Sequence, residues 1–266
     1  MIRTSRLAHW ALGFLILFAG SASLPAVDLL YVSLNNNTIV TYDTTSNTGA
    51  TIAGTIATFA NTNLSIPQGL AFDSSGNLYA ANNSGGTISK FNSSGGFVNS
   101  ISSNFNSTFG LAFDSLGNLY AANQTGNTIS KFDSSGGFVS SISTNLSGPT
   151  GLAFDSMGNL YAANYDDNTI SKFNSSGGFL SGISTNLNGP MGLAFDSSGN
   201  LYAANLGDET ISKFNSSGTF LTSWSTGANS PSFLAFKPVT VPEPSTYALA
   251  AIASGLMAAM ARRRKA

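Results

Sequence analysis

The sequence contains no cysteine, and its 266 residues include a single histidine, His9. Without cysteine there are no disulfides, thiol nucleophiles, thiolate zinc sites or iron–sulfur clusters. His9 falls in a segment argued below to be a cleaved leader, so the mature chain lacks imidazole. That removes Ser-His-Asp and Cys-His machinery, His-ligated metals and the commonest general base of near-neutral pKa. Charge is scarce as well, at 9 % of residues, against about 25 % in ordinary globular domains. A hydrophobic content of 42 %, with 11 % aromatics, still permits a buried core, so low charge does not mean disorder.

Residues 1–26 have the three parts of a secretory signal peptide. Arg3 and Arg6 make a positive start, Trp10 to Gly20 is apolar, and Ser21-Ala22-Ser23 or Leu24-Pro25-Ala26 supplies small residues for cleavage. Such a leader engages the secretion translocon and signal peptidase; an uncleaved N-terminal anchor is the alternative. At the other end, Val241-Pro242-Glu243-Pro244 precedes an apolar run, Tyr247 to Ala261, and then Arg262-Arg263-Arg264-Lys265. A cationic block after an apolar segment stays on the cytoplasmic side and acts as a membrane stop. The run is short for a comfortable span, so it reads as a transient membrane anchor. In order and spacing, residues 241–266 resemble the PEP-CTERM sorting tail of exported bacterial proteins. The resemblance implies cleavage near Pro242-Glu243-Pro244 by an exosortase-type membrane protease. It also implies delivery to the cell envelope, the surface or the medium of a bacterium that makes exopolysaccharide.

Leader and tail hold six of the eleven basic residues. The body keeps Lys90, Lys131, Lys172, Lys213 and Lys237 against eleven acids, a net −6. Nucleic acid is therefore not an expected partner, because phosphate binding needs clustered positive charge.

Between the ends, one unit is copied. Gly-Leu-Ala-Phe-Asp begins at Gly69, Gly110, Gly151 and Gly192, 41 residues apart each time, and Phe233-Leu234-Ala235-Phe236-Lys237 falls on the next beat. Residues 110–150 and 151–191 agree at 32 of 41 positions. A period of this length means a propeller or a solenoid. Each unit reads as four short strands. In the first full copy these are strand A over Gly69–Asp73, B over Asn77–Asn82, C over Thr87–Phe91 and D over Phe97–Ser102, with Gly-bearing turns between A and B and between C and D. Strands A and B are apolar on both faces, whereas D alternates, as in a blade packed between neighbours with D at the wetter edge. Five B–C pairs and five A strands predict an all-β, five-bladed β-propeller over residues 28–240, in which strand 233–237 completes the first blade by circular closure.

The unit, with Pro and Gly before Leu-Ala-Phe-Asp, then Gly-Asn-Leu-Tyr-Ala-Ala-Asn and Asn-Thr-Ile-Ser-Lys-Phe, resembles the NHL repeat. It departs where Asn82, Asn123, Asn164 and Asn205 replace a usual Asp, and where Thr87, Thr128, Thr169 and Thr210 replace a common cationic residue. The resemblance implies six blades as the alternative count, in the TolB-like or NHL arrangement.

Variation between copies concentrates in the B–C loop: Asn83-Ser84-Gly85-Gly86, Gln124-Thr125-Gly126-Asn127, Tyr165-Asp166-Asp167-Asn168 and Leu206-Gly207-Asp208-Glu209. Antiparallel order places B–C and D–A loops on one rim, where functional residues gather over a rigid frame. Asn83, Gln124, Tyr165, Asp166, Asp167, Leu206, Asp208 and Glu209 form the candidate ligand-binding rim. Asp166, Asp167, Asp208 and Glu209 offer oxygen-only ligands that suit Ca²⁺; drift in solvated loops is the competing reading. Asp73, Asp114, Asp155 and Asp196 read as turn caps, and Lys90, Lys131, Lys172 and Lys213 as snorkelling or turn-paired lysines, with a lysine ring for an anionic polymer as the alternative; Asn82, Asn123, Asn164 and Asn205 read as bonds to loop backbone, with a channel-facing ligand role as the alternative. No catalytic residues and no cofactor are expected. The expected function is a non-enzymatic binding or scaffold module for envelope polysaccharide or a surface protein. The alternatives are a calcium-dependent lactonase-like hydrolase and a structural biofilm-matrix protein without a defined ligand.

Overall fold

A computed structural model describes residues 29–34, 37–43, 57–102, 107–226, 231 and 234. Each repeat becomes one antiparallel sheet. The first has three strands, β1 (Leu29–Leu34), β2 (Thr38–Asp43) and β3 (Ala57–Ala60). The second has β4 (Pro67–Phe72), β5 (Leu78–Asn82), β6 (Thr87–Phe91) and β7 (Phe97–Ser102). The third is β8 (Thr108–Phe113), β9 (Leu119–Asn123), β10 (Thr128–Phe132) and β11 (Phe138–Ile142). The fourth is β12 (Pro149–Phe154), β13 (Leu160–Asn164), β14 (Thr169–Phe173) and β15 (Phe179–Ile183). The fifth is β16 (Pro190–Phe195), β17 (Leu201–Asn205), β18 (Thr210–Phe214) and β19 (Phe220–Ser225). No helix occurs among the described residues.

Strand A begins two residues before its predicted start and ends before Asp73. Pro67 lacks a backbone N–H and pairs with Asn82 across a register irregularity that separates it from Leu70, a place where a strand tolerates proline. Asp73 leaves the ladder because its N–H donates to the Asn77 carbonyl and its own carbonyl accepts from Gly76, which closes the turn.

The second strand of each four-stranded sheet is buried on both faces, which explains why Leu-Tyr-Ala-Ala-Asn has no polar alternation. Leu78 and Ala80 pack toward the first sheet with Ile39. Tyr79 and Ala81 pack toward the third sheet with Leu111, Leu119 and Ala121. The same division recurs at Tyr120 and Ala122 and at Tyr161 and Ala163, so the core lies between sheets rather than within one. Aromatic edges reinforce each junction: Tyr31 meets Phe72 at 4.9 Å, and Tyr79, Tyr120 and Tyr161 meet Phe113, Phe154 and Phe195 at 5.0 Å. On the outer side, Ile101, Ile142 and Ile183 sit against Gly136, Gly177 and Gly218 of the following sheet.

On the inner side, β4, β8, β12 and β16 run next to one another. They approach so closely that a Cβ at Gly69, Gly110 or Gly151 would overlap the carbonyl of Phe109, Thr150 or Met191 on the next strand. Glycine in Gly-Leu-Ala-Phe-Asp is therefore a spacing requirement. The predicted closing strand, 233–237, lies outside the described residues apart from Leu234.

Gly151→Ala is expected to lower the unfolding free energy by about 2 kcal/mol through overpacking. Gly126→Ala, where an added Cβ meets only ordinary contacts of 3.5 Å or more, is expected to change it by less than about 0.5 kcal/mol. Urea titration of the two variants checks the contrast.

Candidate functional site

The B–C loop is built from a turn whose backbone is tied to the strand connection beside it. Asn83, Gln124, Tyr165 and Leu206 donate their N–H groups to the carbonyls of Ile66, Ser107, Gly148 and Gly189. The next N–H groups, of Ser84, Asp166 and Gly207, go to Ser65, Ser147 and Asn188. B–C loops and D–A connections thus share one rim, as antiparallel order requires.

Beneath that rim lies a buried polar triad. Asn82, Asn164 and Asn205 are at most 1 % exposed. The Asn82 amide donates to the Thr87 hydroxyl and the Ser89 hydroxyl, both at 2.9 Å, and its carbonyl oxygen accepts from the Ser65 N–H at 3.1 Å. Ser89 in turn donates to the Asn63 carbonyl at 2.5 Å. Asn164 with Thr169 and Ser171, and Asn205 with Thr210 and Ser212, repeat the pattern. The two departures from the NHL pattern are therefore one feature, because each replaced Asp and each replaced cation now form a neutral Asn–Thr pair. Burying that pair avoids the desolvation cost of charges.

A second series latches neighbouring sheets. The last B–C loop residue adopts a left-handed backbone at Asn37, Asn127 and Asn168, with φ of 63°, 49° and 58°. Their side-chain oxygens accept the N–H of Ile66, Gly148 and Gly189 in the following sheet, each at 2.6 Å. Glu209 holds the same position with φ 57°, and its backbone carbonyl accepts both the N–H and the hydroxyl of Thr226 at 2.8 and 2.9 Å.

The predicted rim residues divide over this frame. The Asn83 amide nitrogen is a buried polar atom without a hydrogen-bond partner among the described residues. Tyr165 lays its ring against Gly189, and the Asp166 carboxylate sits against Gly148. Asp167 and Asp208 accept the hydroxyls of Thr169 and Thr210 at 2.7 and 2.8 Å. Among the described residues, no three acidic side chains come together as a group that could hold a metal ion. Val241, Pro242, Glu243 and Pro244, the apolar run after them, and Arg262, Arg263, Arg264 and Lys265 lie outside the described residues. No helix among the described residues is long and apolar enough to cross a membrane.

On the opposite rim, each A–B turn is a local device. The Asp73 carboxylate accepts the N–H groups of Ser75 and Asn77 at 3.0 and 2.9 Å and the Asn77 amide at 2.8 Å. Lys90 completes it, 3.4 Å from the Asp73 carboxylate and 5.0 Å from the centre of the Tyr79 ring. Lys131, Lys172 and Lys213 repeat this arrangement with Asp114, Asp155 and Asp196. Partial burial raises the Asp73, Asp114 and Asp155 carboxyls, but donors from Asn77, Asn118 and Asn159 and the following backbone outweigh it and hold all three below the usual range. Asp196, bonded chiefly by the Asn200 side chain, falls to about 2.

One variable position is easily missed in the sequence: Gln68, Phe109, Thr150 and Met191, immediately before the inner-strand glycine. Thr150 is fully buried there and donates its hydroxyl to the Pro190 carbonyl of the next sheet at 2.9 Å. The column stands out only when the repeats are aligned over the strands as well as over the loops.

These contacts set the response of stability to pH and to the residue at position 209. The lowered Asp carboxyls contribute fully above their ordinary pKa and lose that contribution as pH falls through the folded values. Stability should therefore hold down to about pH 5 and decline below it, and Asp196→Asn should flatten this acid limb in denaturant titrations across pH. Glu209→Asn should raise stability by about 1 kcal/mol, because asparagine tolerates the left-handed backbone better, and a rise in thermal midpoint checks it.

Residues 240–265 match the PEP-CTERM protein-sorting motif. No curated protein matches the chain. Solved structures with a similar fold include virginiamycin B lyase from Staphylococcus aureus, at 16 % identity and TM-score 0.63, covering 78 % of this chain and 70 % of that one. A streptogramin B lyase structure matches at 15 % identity and TM-score 0.61, covering 80 % and 74 %. A nidogen–laminin complex matches at 23 % identity and TM-score 0.66, covering 79 % and 81 %. At these identities the likeness shows the fold alone. The chain is an all-β repeat protein of the β-propeller kind, carrying a PEP-CTERM motif that directs export to the cell envelope through an exosortase.

Proposed function

We propose that this protein is a surface-exposed, non-enzymatic binding module that uses the B–C loop rim to hold an extracellular macromolecule, with envelope polysaccharide favoured over a surface protein. In this reading the leader, residues 1–26, is removed on passage through the translocon. The tail is cut near Pro242-Glu243-Pro244, after transient anchoring by the run that ends at Arg262-Arg263-Arg264-Lys265.

One observation carries the reading. The rim backbone is pinned through the same hydrogen bonds in successive copies, while the side chains it presents change from Asn83 and Gln124 to Tyr165, Asp166, Asp167, Leu206, Asp208 and Glu209. A rigid frame with variable tips binds without a large ordering cost. Body charge supports it too: a net −6 with lysines engaged at the opposite turns disfavours strongly anionic polymers. The lyases of similar fold lend a shape and no chemistry, and no specific observation favours hydrolysis.

Co-sedimentation of the exported protein with envelopes and exopolysaccharide from a PEP-CTERM-bearing bacterium tests the reading. Saturable binding is expected, equal with calcium and with chelator. A chain in which residues 165–168 and 206–209 are both replaced by Asn-Ser-Gly-Gly, the loop of residues 83–86, should bind at least about tenfold more weakly. No saturable binding by the parent would leave a structural matrix role instead, and metal-dependent turnover of lactones would overturn the non-enzymatic assignment.

A further inference from the structure

Along the rim, the fourth and fifth sheets carry equivalent grooves 41 residues apart. The fifth-sheet groove, of about 420 Å³, is lined by Asn186, Asn188, Asp208, Thr210, Ser212 and Ser223 among others. The fourth-sheet groove, of about 370 Å³, is lined by Asn145, Asp167, Thr169, Ser171, Phe179 and Ser184 among others. Apart from the two aspartates, these linings are hydroxyls, amides, backbone and a few apolar groups, with no lysine or arginine.

The carboxylate in each groove is held in place. Asp167 and Asp208 each accept the adjacent threonine hydroxyl through one oxygen. The threonines are themselves fixed by Asn164 and Asn205, and Ser171 and Ser212 are fixed by the Asn145 and Asn186 carbonyls. Phe179, 44 % exposed, adds an apolar wall to the fourth-sheet groove. Gly85 and Gly126 stand where Asp167 and Asp208 do, so the carboxylate belongs to the fourth and fifth sheets and is not required by the fold.

We infer that these two grooves are paired subsites for one glycan chain rich in hydrogen-bond donors, neutral or amino-substituted, and not for a uronate, sulfated or phosphorylated polymer. Fixed acceptors beside hydroxyls and amides match sugar hydroxyls or ammonium groups. An anionic sugar would meet a carboxylate with no cation to offset it. Repetition of the groove on adjacent sheets lets consecutive parts of one chain engage both, so affinity should rise steeply with chain length. This inference rests on the proposed binding function and specifies its ligand class and its place.

Calorimetric titration of the full chain with cellohexaose, dextran, a chitosan hexamer and hexagalacturonate tests it. Saturable binding is expected for a neutral or amino-substituted probe, and which of them binds identifies the source of the donors. Asp167→Gly and Asp208→Gly should each weaken it about tenfold, as expected for one charge-assisted hydrogen bond, and the double variant by more than either. Because glycine already occupies residues 85 and 126, the variants should keep the parent's thermal midpoint. Preference for hexagalacturonate, no binding by any neutral or amino probe, or an unaffected double variant would overturn the inference. If envelope co-sedimentation survives in that last case, the binding function stands and only these grooves are wrong.

Discussion

Each four-stranded sheet depends on a strand that cannot be buried by its own sheet. Leu-Tyr-Ala-Ala-Asn turns leucine and alanine to one neighbour and tyrosine and alanine to the other, so a single repeat would leave both apolar faces in water. Stacking of copies is the only arrangement that satisfies both faces. The rest of the geometry serves that stacking. Glycine lets inner strands approach backbone to backbone, isoleucine on the outer strand meets glycine in the next turn, and tyrosine edges seal the turn-side rim.

Polar contacts then decide how accurately the stacked sheets are placed. The Asn–Thr–Ser triads at Asn82, Asn164 and Asn205 fix the connections beside them from below, and the left-handed asparagines at 37, 127 and 168 carry the fix across to the next sheet. The triad bonds are buried or partly buried, and the latches at Asn127 and Asn168 are partly buried and tie residues 21 apart in the sequence, so loop and connection are held together across the sheets they join. Loop side chains vary on that surface without disturbing it. The Asp–Asn–Lys turns on the far rim act differently, closing tight turns and neutralising the few charges that the fold requires.

Much of this was legible in the sequence because the repeat removes ambiguity. Four near-copies of one strand pattern, punctuated at the same offsets, leave few ways to pair, and the cap at Asp73 follows from turn chemistry, whereas Lys90 reads equally as a snorkelling lysine until its carboxylate and Tyr79 are seen beside it. The start of the inner strand was not legible, since Pro-x-Gly reads as a turn until the bulge against Asn82 is seen. Nor was the latch, in which Asn168 bonds the Gly189 N–H of another copy, because nothing local to either residue marks it. The four rim acids fall, by loop position, on two adjacent repeats. Three of them have separate side-chain contacts: Asp166 sits against Gly148, whereas Asp167 and Asp208 accept the hydroxyls of Thr169 and Thr210 in the fourth and fifth sheets.

The proposed binding of extracellular material at the envelope draws on export, a fixed frame and a variable rim together. The most direct test is hydrogen exchange, read by mass spectrometry, on the exported protein with and without bound exopolysaccharide. The account predicts added protection in the B–C loops and strand connections of the fourth and fifth sheets, residues 145–148, 165–168, 186–189 and 206–209, with the A–B turns unchanged. Protection confined to the A–B turns at Asp73, Asp114, Asp155 and Asp196 would contradict it.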